Sequence, residues 1–308
     1  MKHKLVIVLF LFSLFVAKAQ EQNVKPSKDT IRNILFYPGF KSKFVDNRNI
    51  EIWFPPDYDK NSDKKYPVLY IHDGQNLFES EHSFSNQEWE VDEMMTKLIK
   101  ENKIKEAIVV GIWNTPKRFR EYQPNAIFDN LDKKNIPLRD ALILEYNGVP
   151  LANSYLKFIV EELKPFVDTD FRTLKDKKNT FMMGSSMGGL ISIYAIAEYP
   201  DIFGGVACLS THFPISLKQN NPLIPLLSFA YLKRKLSPKK QNKIYFDYGT
   251  ETLDSWYEPY QKQMDVIMEN NGFIFGENWI SKKFDGEEHS EISWRKRLDV
   301  PLLFLLGK

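Results

Sequence analysis

The chain has 308 residues, of which 43% are hydrophobic and 27% are charged, as is usual for a soluble globular protein. Lysine and arginine number 42 and aspartate and glutamate 40, a net charge of +2 that gives no electrostatic argument for nucleic-acid binding. Cys208 is the only cysteine, which excludes an intramolecular disulfide. The histidine spacings match no metal-binding motif, so no metal or cofactor is implied.

The N-terminus has the pattern of a secretory signal peptide. Lys2 and Lys4 precede the apolar run 5–16, and Ala17 and Ala19 form a small-residue cleavage site. We therefore predict a signal peptide at residues 1–19 and a secreted or periplasmic protein that begins at Gln20. The apolar run is short for a membrane span, so no stable membrane insertion is expected after cleavage. Cleavage removes three lysines and no acid, which changes the net charge from +2 to −1.

Short apolar runs rich in β-branched residues alternate with helical patterns from residue 33 onward. The predicted strands are Asn33–Phe40, Asn49–Phe54, Pro67–His72, Glu106–Ile112, Thr180–Gly184, Gly205–Leu209, Lys243–Tyr248 and Trp279–Phe284. The predicted helices are Trp89–Lys100, Ala152–Pro165, Met187–Glu198, Ile224–Lys235, Ser255–Asn271 and Glu291–Leu298. The alternation predicts an α/β fold: a mainly parallel sheet with helices on both faces.

The same pattern predicts how the chain is organised around that sheet. No linker-like run or internal repeat divides residues 20–308, so one domain is expected. The first two strands have no helix between them, which favours an antiparallel hairpin at the sheet edge. The proline-containing segments 115–150 and 211–240 follow strands, so we expect them to emerge at the carboxyl edge and form lids or pocket walls.

The segment Gly184-Ser-Ser-Met-Gly188 holds a G-x-S-x-G pattern between an apolar strand and an apolar helix. A sharp strand-to-helix turn presents the central serine at the carboxyl edge of the sheet, and glycines relieve the crowding there. The neighbouring Ser185 is excluded by its position in the pattern. We predict that Ser186 is a nucleophile on an exposed turn. The Met187 amide is then a predicted oxyanion donor.

A nucleophilic serine needs a base and a group that orients the base, in the chain order Ser, acid, His. His212 follows the serine too early for an acid-bearing strand to intervene. His289 lies in a polar turn after the last strand and is the predicted base. His72 and His212 are either pocket-lining residues or ordinary strand-end histidines.

The orienting acid is expected in the turn after strand Lys243–Tyr248. Asp254 and Glu251 both qualify, and Asp254 is favoured, although aspartates in this position often cap helices. A Ser186–His289 dyad without an acid is the third alternative. The loop after the third strand turns at Gly74, which predicts the Gln75 amide as the second oxyanion donor.

Taken together, these segments resemble the putative esterase family of the α/β-hydrolases, which includes esterase D, enterochelin esterases, feruloyl and acetyl-xylan esterases and mycolyltransferases. The segments that carry the resemblance are His72–Phe78, Trp89–Asp92, Val110–Asn114, Arg120–Pro124, Gly184–Gly189, Tyr199–Phe203, Asp247–Thr250 and His289. The resemblance implies Ser186 and His289 as nucleophile and base, with the Met187 and Gln75 amides as oxyanion hole. The family carboxylate often stands where this chain has Thr252.

The function expected from these residues is a secreted serine esterase that acts on acyl esters of carbohydrates or similar small polar molecules. Four aromatic residues in loops are candidates for stacking on such a substrate: Trp113, Tyr122, Trp256 and Tyr257. One alternative is a siderophore esterase, whose anionic ligand Lys117, Arg118, Arg120 and the cluster Lys233–Lys235 would contact. The other is a catalytically silent binding protein on a hydrolase scaffold. The oligomeric state is not predicted.

Overall fold

The computed structural model describes residues 26–59, 62–131 and 135–308. The predicted signal peptide lies outside these residues. Nine strands form one sheet: β1 Ser27–Asp29, β2 Ile34–Phe40, β3 Arg48–Trp53, β4 Val68–His72, β5 Ile108–Ile112, β6 Thr180–Ser185, β7 Gly205–Leu209, β8 Lys243–Gly249 and β9 Trp279–Phe284. Their order across the sheet is β1-β2-β3-β5-β4-β6-β7-β8-β9. Strands β4 to β9 pair in parallel, while β1, β2 and β3 pair antiparallel and β3 joins β5 antiparallel.

Eleven α-helices occur in the described ranges. They are α1 Val91–Lys100, α2 Arg118–Tyr122, α3 Asn125–Asp129, α4 Ile136–Glu145, α5 Ala152–Lys157, α6 Lys164–Asp170, α7 Met187–Glu198, α8 Leu223–Lys235, α9 Glu258–Asn270, α10 Glu291–Lys296 and α11 Asp299–Leu306. Buried apolar side chains form two clusters that contain alternate residues of the central strands, such as Val110 and Val109 of β5. Because neighbouring residues of a strand point to opposite faces, the sheet is covered on both sides, as predicted.

The structure corrects several predicted elements. The hairpin of β2 and β3 is not the edge of the sheet, because the short polar strand β1 covers β2. Helix Ala152–Pro165 continues to Asp170 through a π-helical turn at Phe158–Leu163, so Pro165 lies in the first turn of α6 and does not end a helix. Segment 115–150 contains the helices α2, α3 and α4. A second C-terminal helix, α11, was not predicted, and it packs against β7 and β8.

The order of strands brings the ends of β4, β6, β7 and β8 side by side. Parallel neighbours end at the same edge, and the loops that follow these strands carry the predicted serine, acid and oxyanion residues. Cys208 lies buried in the middle of this sheet, and burial raises the pKa of its thiol well above the usual value. None of the helices in the described ranges is both long and apolar enough to cross a membrane.

Candidate active site

Ser186 occupies a strained turn between β6 and α7. Its backbone angles are φ 58° and ψ −121°, a conformation that non-glycine residues adopt rarely and mainly at functional sites. The turn is tight, since a Cβ on Gly184 would lie 2.8 Å from the backbone carbon of Gly188. The Ser186 amide donates to the Leu209 carbonyl of β7 at 2.9 Å. Only 8% of Ser186 is exposed, so the predicted exposed turn is wrong: the neighbouring loops cover it.

The structure brings His289 and Asp254 together. The His289 Nδ1 lies 2.6 Å from Asp254 Oδ1, with 14% of the histidine side chain and none of the aspartate side chain exposed. The imidazole is flanked by two rings, Trp294 at 5.0 Å and Tyr257 at 5.7 Å between centroids, both nearly perpendicular to it. These contacts fix the ring plane, and the carboxylate keeps the proton on Nδ1, leaving Nε2 as the basic nitrogen.

Asp254 is held as an anion by three donors. Its Oδ1 faces His289, while its Oδ2 accepts hydrogen bonds from the Ser210 hydroxyl and the Gly249 amide, each at 2.6 Å. Burial acts to raise the pKa of this carboxyl, but the hydrogen bonds, led by that of His289, outweigh it and hold the pKa below its ordinary value. Asp254 lies inside a 3₁₀ turn, Thr252–Trp256, and does not cap α9.

The two other residues considered for the acid position lie apart from the imidazole nitrogens. The Glu251 side chain is exposed and accepts from the Thr250 hydroxyl. Thr252, which stands at the usual family position, accepts the backbone amide of His289 on its hydroxyl at 2.9 Å. Thr252 therefore holds the backbone of the histidine loop, while Asp254 contacts the ring.

The predicted oxyanion amides lie at the starts of two neighbouring helical turns. Gln75 lies in the 3₁₀ turn Gly74–Asn76 that follows Asp73, a residue at φ 57°. A Cβ on Gly188 would lie 3.5 Å from the Asp73 carboxylate, so this loop packs against the first turn of α7. Amides in the first turn of a helix have no intrahelical acceptor. The Gln75 and Met187 amides therefore have no acceptor within their own helices. They lie on the two segments that meet at the serine.

A buried ion pair fixes the Gln75 loop. Asp73 accepts from Arg118 Nε at 2.7 Å and Nη2 at 2.8 Å, and from the Asn114 side chain at 2.7 Å. Arg118 lies at the start of α2 and keeps 21% of its side chain exposed. Burial acts to raise the pKa of the Asp73 carboxyl, but the charge of Arg118 and the hydrogen bonds from Arg118 and Asn114 together outweigh it and hold the pKa below its ordinary value. One cation thus lies beside the candidate oxyanion hole.

A second histidine, His212, contacts the serine turn. The His212 amide donates to the Ser186 carbonyl, and its Nδ1 lies 2.7 Å from the Tyr257 hydroxyl. The His212 Nε2 faces the Ser216 carbonyl, so Nε2 carries the proton and Nδ1 accepts from Tyr257. Burial lowers the pKa of His212 to about 3, which keeps the ring neutral.

The two insertions, segments 115–150 and 211–240, contact each other at this edge of the sheet. Glu145 of α4 accepts from the Ser216 hydroxyl at 2.7 Å and from the Leu217 amide at 2.9 Å. Helix α2 is joined to β3 by a fully buried ion pair, in which Arg48 Nη2 lies 2.6 Å from Glu121 Oε1. The insertions are therefore tied to the sheet by a buried ion pair and to each other by partly exposed hydrogen bonds.

Most of the other residues predicted to contact a ligand are buried or are bound to protein partners. Tyr122 and Tyr257 are buried, so they pack inside the protein and cannot stack on a substrate at its surface; Trp113 and Trp256 stay half-buried. Three of the other basic candidates have protein partners: Lys117 pairs with Asp46, Arg120 donates to the Val149 carbonyl and Lys235 pairs with Glu198. His72 is buried with its Nδ1 2.8 Å from the Tyr155 hydroxyl, and burial lowers its pKa to about 3.

Comparison with known proteins matches residues 42–304 to a family model described as "Putative esterase". The chain belongs to this family. The predicted resemblance and the α/β-hydrolase fold are thereby confirmed.

Three curated relatives differ in how much they share with the chain. YbbA of Bacillus subtilis, an uncharacterized protein, is 25% identical over 164 residues, which cover 53% of this chain and 56% of YbbA. An endo-1,4-beta-xylanase/feruloyl esterase of Xylanibacter ruminicola is 30% identical over 161 residues, 52% of this chain and 19% of that protein. Ferri-bacillibactin esterase BesA of B. subtilis is 23% identical over 217 residues, 67% and 71% of the two chains. The chain therefore spans about half of YbbA and a fifth of the xylanase/feruloyl esterase.

Two solved structures share the fold. A ferulic acid esterase superposes with a TM-score of 0.60 at 19% identity, covering 89% of this chain and 97% of that one. The BES protein of Bacillus cereus superposes with a TM-score of 0.63 at 17% identity, covering 94% and 100%. At these identities the superpositions establish the common fold.

Proposed function

We propose that the protein is an exported serine esterase in which Ser186 is the nucleophile, His289 the base and Asp254 the orienting acid. The observation that carries the proposal is the 2.6 Å contact between His289 Nδ1 and the buried Asp254, at the same sheet edge as the strained Ser186 turn. A serine hydroxyl is a weak nucleophile without such a base, and a base needs a fixed tautomer.

The reaction follows from these positions. The Ser186 oxygen bonds to the ester carbonyl carbon while its proton moves to His289 Nε2, and the carbonyl oxygen becomes an oxyanion. The Met187 and Gln75 amides donate to that oxyanion. As the ester C–O bond breaks, His289 returns the proton to the leaving alcohol. Water then adds to the acyl-enzyme with His289 again as base, which releases the acid and restores Ser186.

For the substrate we propose acyl esters of carbohydrates, of the feruloyl or acetyl type. This choice is supported by the 30% identity with a xylanase/feruloyl esterase over half of the chain and by the signal-like N-terminus, which would export the enzyme from the cytoplasm. Trp113, directly beyond β5, and Trp256 are both half-buried and are the two aromatic candidates that stay accessible to such a substrate.

The test combines a probe with a substrate panel. Wild-type protein should be labelled by a fluorophosphonate and should hydrolyse a chromogenic feruloyl or acetyl-sugar ester. Ser186→Ala should lose labelling and at least about 10³-fold in kcat while keeping its melting temperature. Ser185→Ala is the matched control, since its hydroxyl precedes the turn. Activity of Ser186→Ala within tenfold of wild type would refute the assignment.

Arg118 favours a second candidate, a siderophore esterase. Its guanidinium is partly exposed beside the Gln75 loop, where it would attract a catecholate or carboxylate on the substrate. BesA, a ferri-bacillibactin esterase, is among the relatives. Faster hydrolysis of a catecholate triester than of feruloyl esters, together with loss of that preference in Arg118→Gln, would replace the carbohydrate substrate by this one.

A binding protein without chemistry is the alternative from another class. The ion-paired histidine and the strained serine argue against it, since a binding scaffold needs neither. A folded wild-type protein that fails to react with fluorophosphonate and with every ester tried would establish it.

A further inference from the structure

A network of buried polar side chains lies behind Asp254, away from the serine. The Ser210 hydroxyl donates to Asp254 Oδ2 at 2.6 Å. The same Ser210 oxygen accepts from the Trp294 indole at 3.0 Å and from Arg297 Nη2 at 2.9 Å. Ser210 is fully buried and Arg297 is 3% exposed. The acid therefore rests on side chains from two separate segments, the loop after β7 and helix α10 with its C-terminal cap residue.

The chemistry of the two donors fixes the direction of the Ser210 hydroxyl. Indole and guanidinium groups only donate hydrogen bonds, so both must use lone pairs of the Ser210 oxygen. The single Ser210 proton is then left for Asp254, which is an acceptor. A cation bonded to the same oxygen also polarises the O–H bond and strengthens its donation.

Arg297 is itself held rigidly in place. Its Nη2 lies 3.0 Å from Asp247 Oδ1 and 3.9 Å from Asp254 Oδ2, between the two carboxylates. The Tyr245 hydroxyl donates to the other Asp247 oxygen at 2.9 Å. The guanidinium lies 4.9 Å from the centre of the Phe284 ring. Two buried carboxylates 3–4 Å from one cation restrict Arg297 to this position.

We propose that Arg297, acting through Ser210, is a positioning residue that keeps the Asp254 carboxylate turned toward His289. The proposal rests on the function proposed above, because it concerns the same acid. Arg297 touches neither substrate nor the reacting atoms. Without the Ser210 bond, Asp254 Oδ2 keeps only the Gly249 amide, and the carboxylate can rotate away from the imidazole.

The expected effect is on turnover and not on substrate binding. Ser210→Ala and Arg297→Met should each lower kcat about ten- to hundredfold, the value of one hydrogen bond to a charged group, with KM nearly unchanged. Arg297→Lys, which retains the charge and one donor, should recover part of the loss. Arg295→Lys, an Arg-to-Lys change two residues earlier at a partly exposed pair with Glu90, is the control and should match wild type.

A double-mutant cycle separates positioning from a general structural role. If Arg297 acts through Ser210, the Ser210→Ala/Arg297→Met double variant should be no slower than Ser210→Ala alone. Losses of kcat that multiply would show that the two residues act independently and would overturn the proposal. Wild-type kcat in Arg297→Met would overturn it directly.

Folding and the proposed function are controlled separately. If Arg297→Met does not fold, Arg297→Lys and Ser210→Gly carry the same cycle; glycine suits Ser210 because its φ is 43°. If wild type does not react with fluorophosphonate, or Ser186→Ala keeps its activity, the proposed function fails. If both behave as expected and the Ser210 and Arg297 losses multiply, only the positioning role fails.

Discussion

Replacing Asp254 by asparagine tests the candidate triad most sharply. Asparagine keeps the shape of the side chain but exchanges one acceptor oxygen for a donor NH₂ group. On one side of the carboxylate lie two fixed donors, the Ser210 hydroxyl and the Gly249 amide, each at 2.6 Å. A backbone amide cannot turn around, whereas an imidazole can change its tautomer. The NH₂ group should therefore face His289.

The magnitude follows from that orientation. With a donor facing Nδ1, the stable imidazole tautomer carries its proton on Nε2 and cannot accept the proton of Ser186. In a well-studied serine protease the same substitution lowers kcat about 10⁴-fold, which corresponds to about 5.5 kcal/mol of transition-state stabilisation. We expect a loss of this order for Asp254→Asn, with KM changed much less.

The assay is steady-state hydrolysis of a chromogenic ester, with the concentration of active enzyme set by titration and the fold checked by thermal melting. Glu251→Gln is the matched control, since Glu251 is exposed and three residues away. An inactive Glu251→Gln beside a healthy Asp254→Asn would move the acid to Glu251. If both variants keep activity within tenfold, the Asp254 reasoning is refuted and a Ser186–His289 dyad describes the site better.

Three further predictions follow. Gly74→Ala should cost at least tenfold in kcat and lower the melting temperature, because its Cβ would lie 2.5 Å from the Gly111 backbone carbon; unchanged kinetics would mean that the Gln75 amide is not needed. In the folded protein the pKa values of His72 and His212 are lowered to about 3. As pH falls below about 6.5, these two histidines therefore take up protons in the unfolded state before they do so in the folded state. Stability in urea should therefore decrease between pH 6.5 and 4, by about 1.4 kcal/mol per pH unit for each ring, and His72→Asn should flatten this slope; an equal slope in that variant would exclude His72 as a source. Exported protein should begin at Gln20 by intact mass, and recovery of an uncleaved chain would contradict the signal peptide.

Much of the fold could be predicted from the sequence because its signals are local. A buried parallel strand is a short apolar run, and a helix shows its own period, so eight strands of the sheet were found with ends displaced by no more than two residues. The Ser186 turn was found for the same reason: the strand, the glycines and the helix that strain it are contiguous in the chain. Strand β1 was missed because its three polar residues, two of them exposed, have no such pattern.

The choice of the acid needed the tertiary structure. Asp254 and Glu251 are three residues apart in one turn, and both positions suit a carboxylate. Only the fold places Asp254 inward against His289, 35 residues later, and leaves Glu251 in solvent. Whether a side chain of a turn is buried depends on the segments that pack over the turn, and the sequence of the turn itself does not show which segments those are. The aromatic candidates show the same limit, since Tyr257 is enclosed by segments distant in the chain.

The chain by itself determined which chemistry is available: a serine in a strand-to-helix turn, a late histidine and an oxyanion loop at one sheet edge. The tertiary structure decided which side chains serve that chemistry. Ser210 and Arg297 carry no motif, and 87 residues separate them. Their meeting behind Asp254 results from the parallel order of β7 and β8 and from the return of the chain after β9. Such contacts form only when the sheet is assembled, because the two segments have no local interaction that would bring them together.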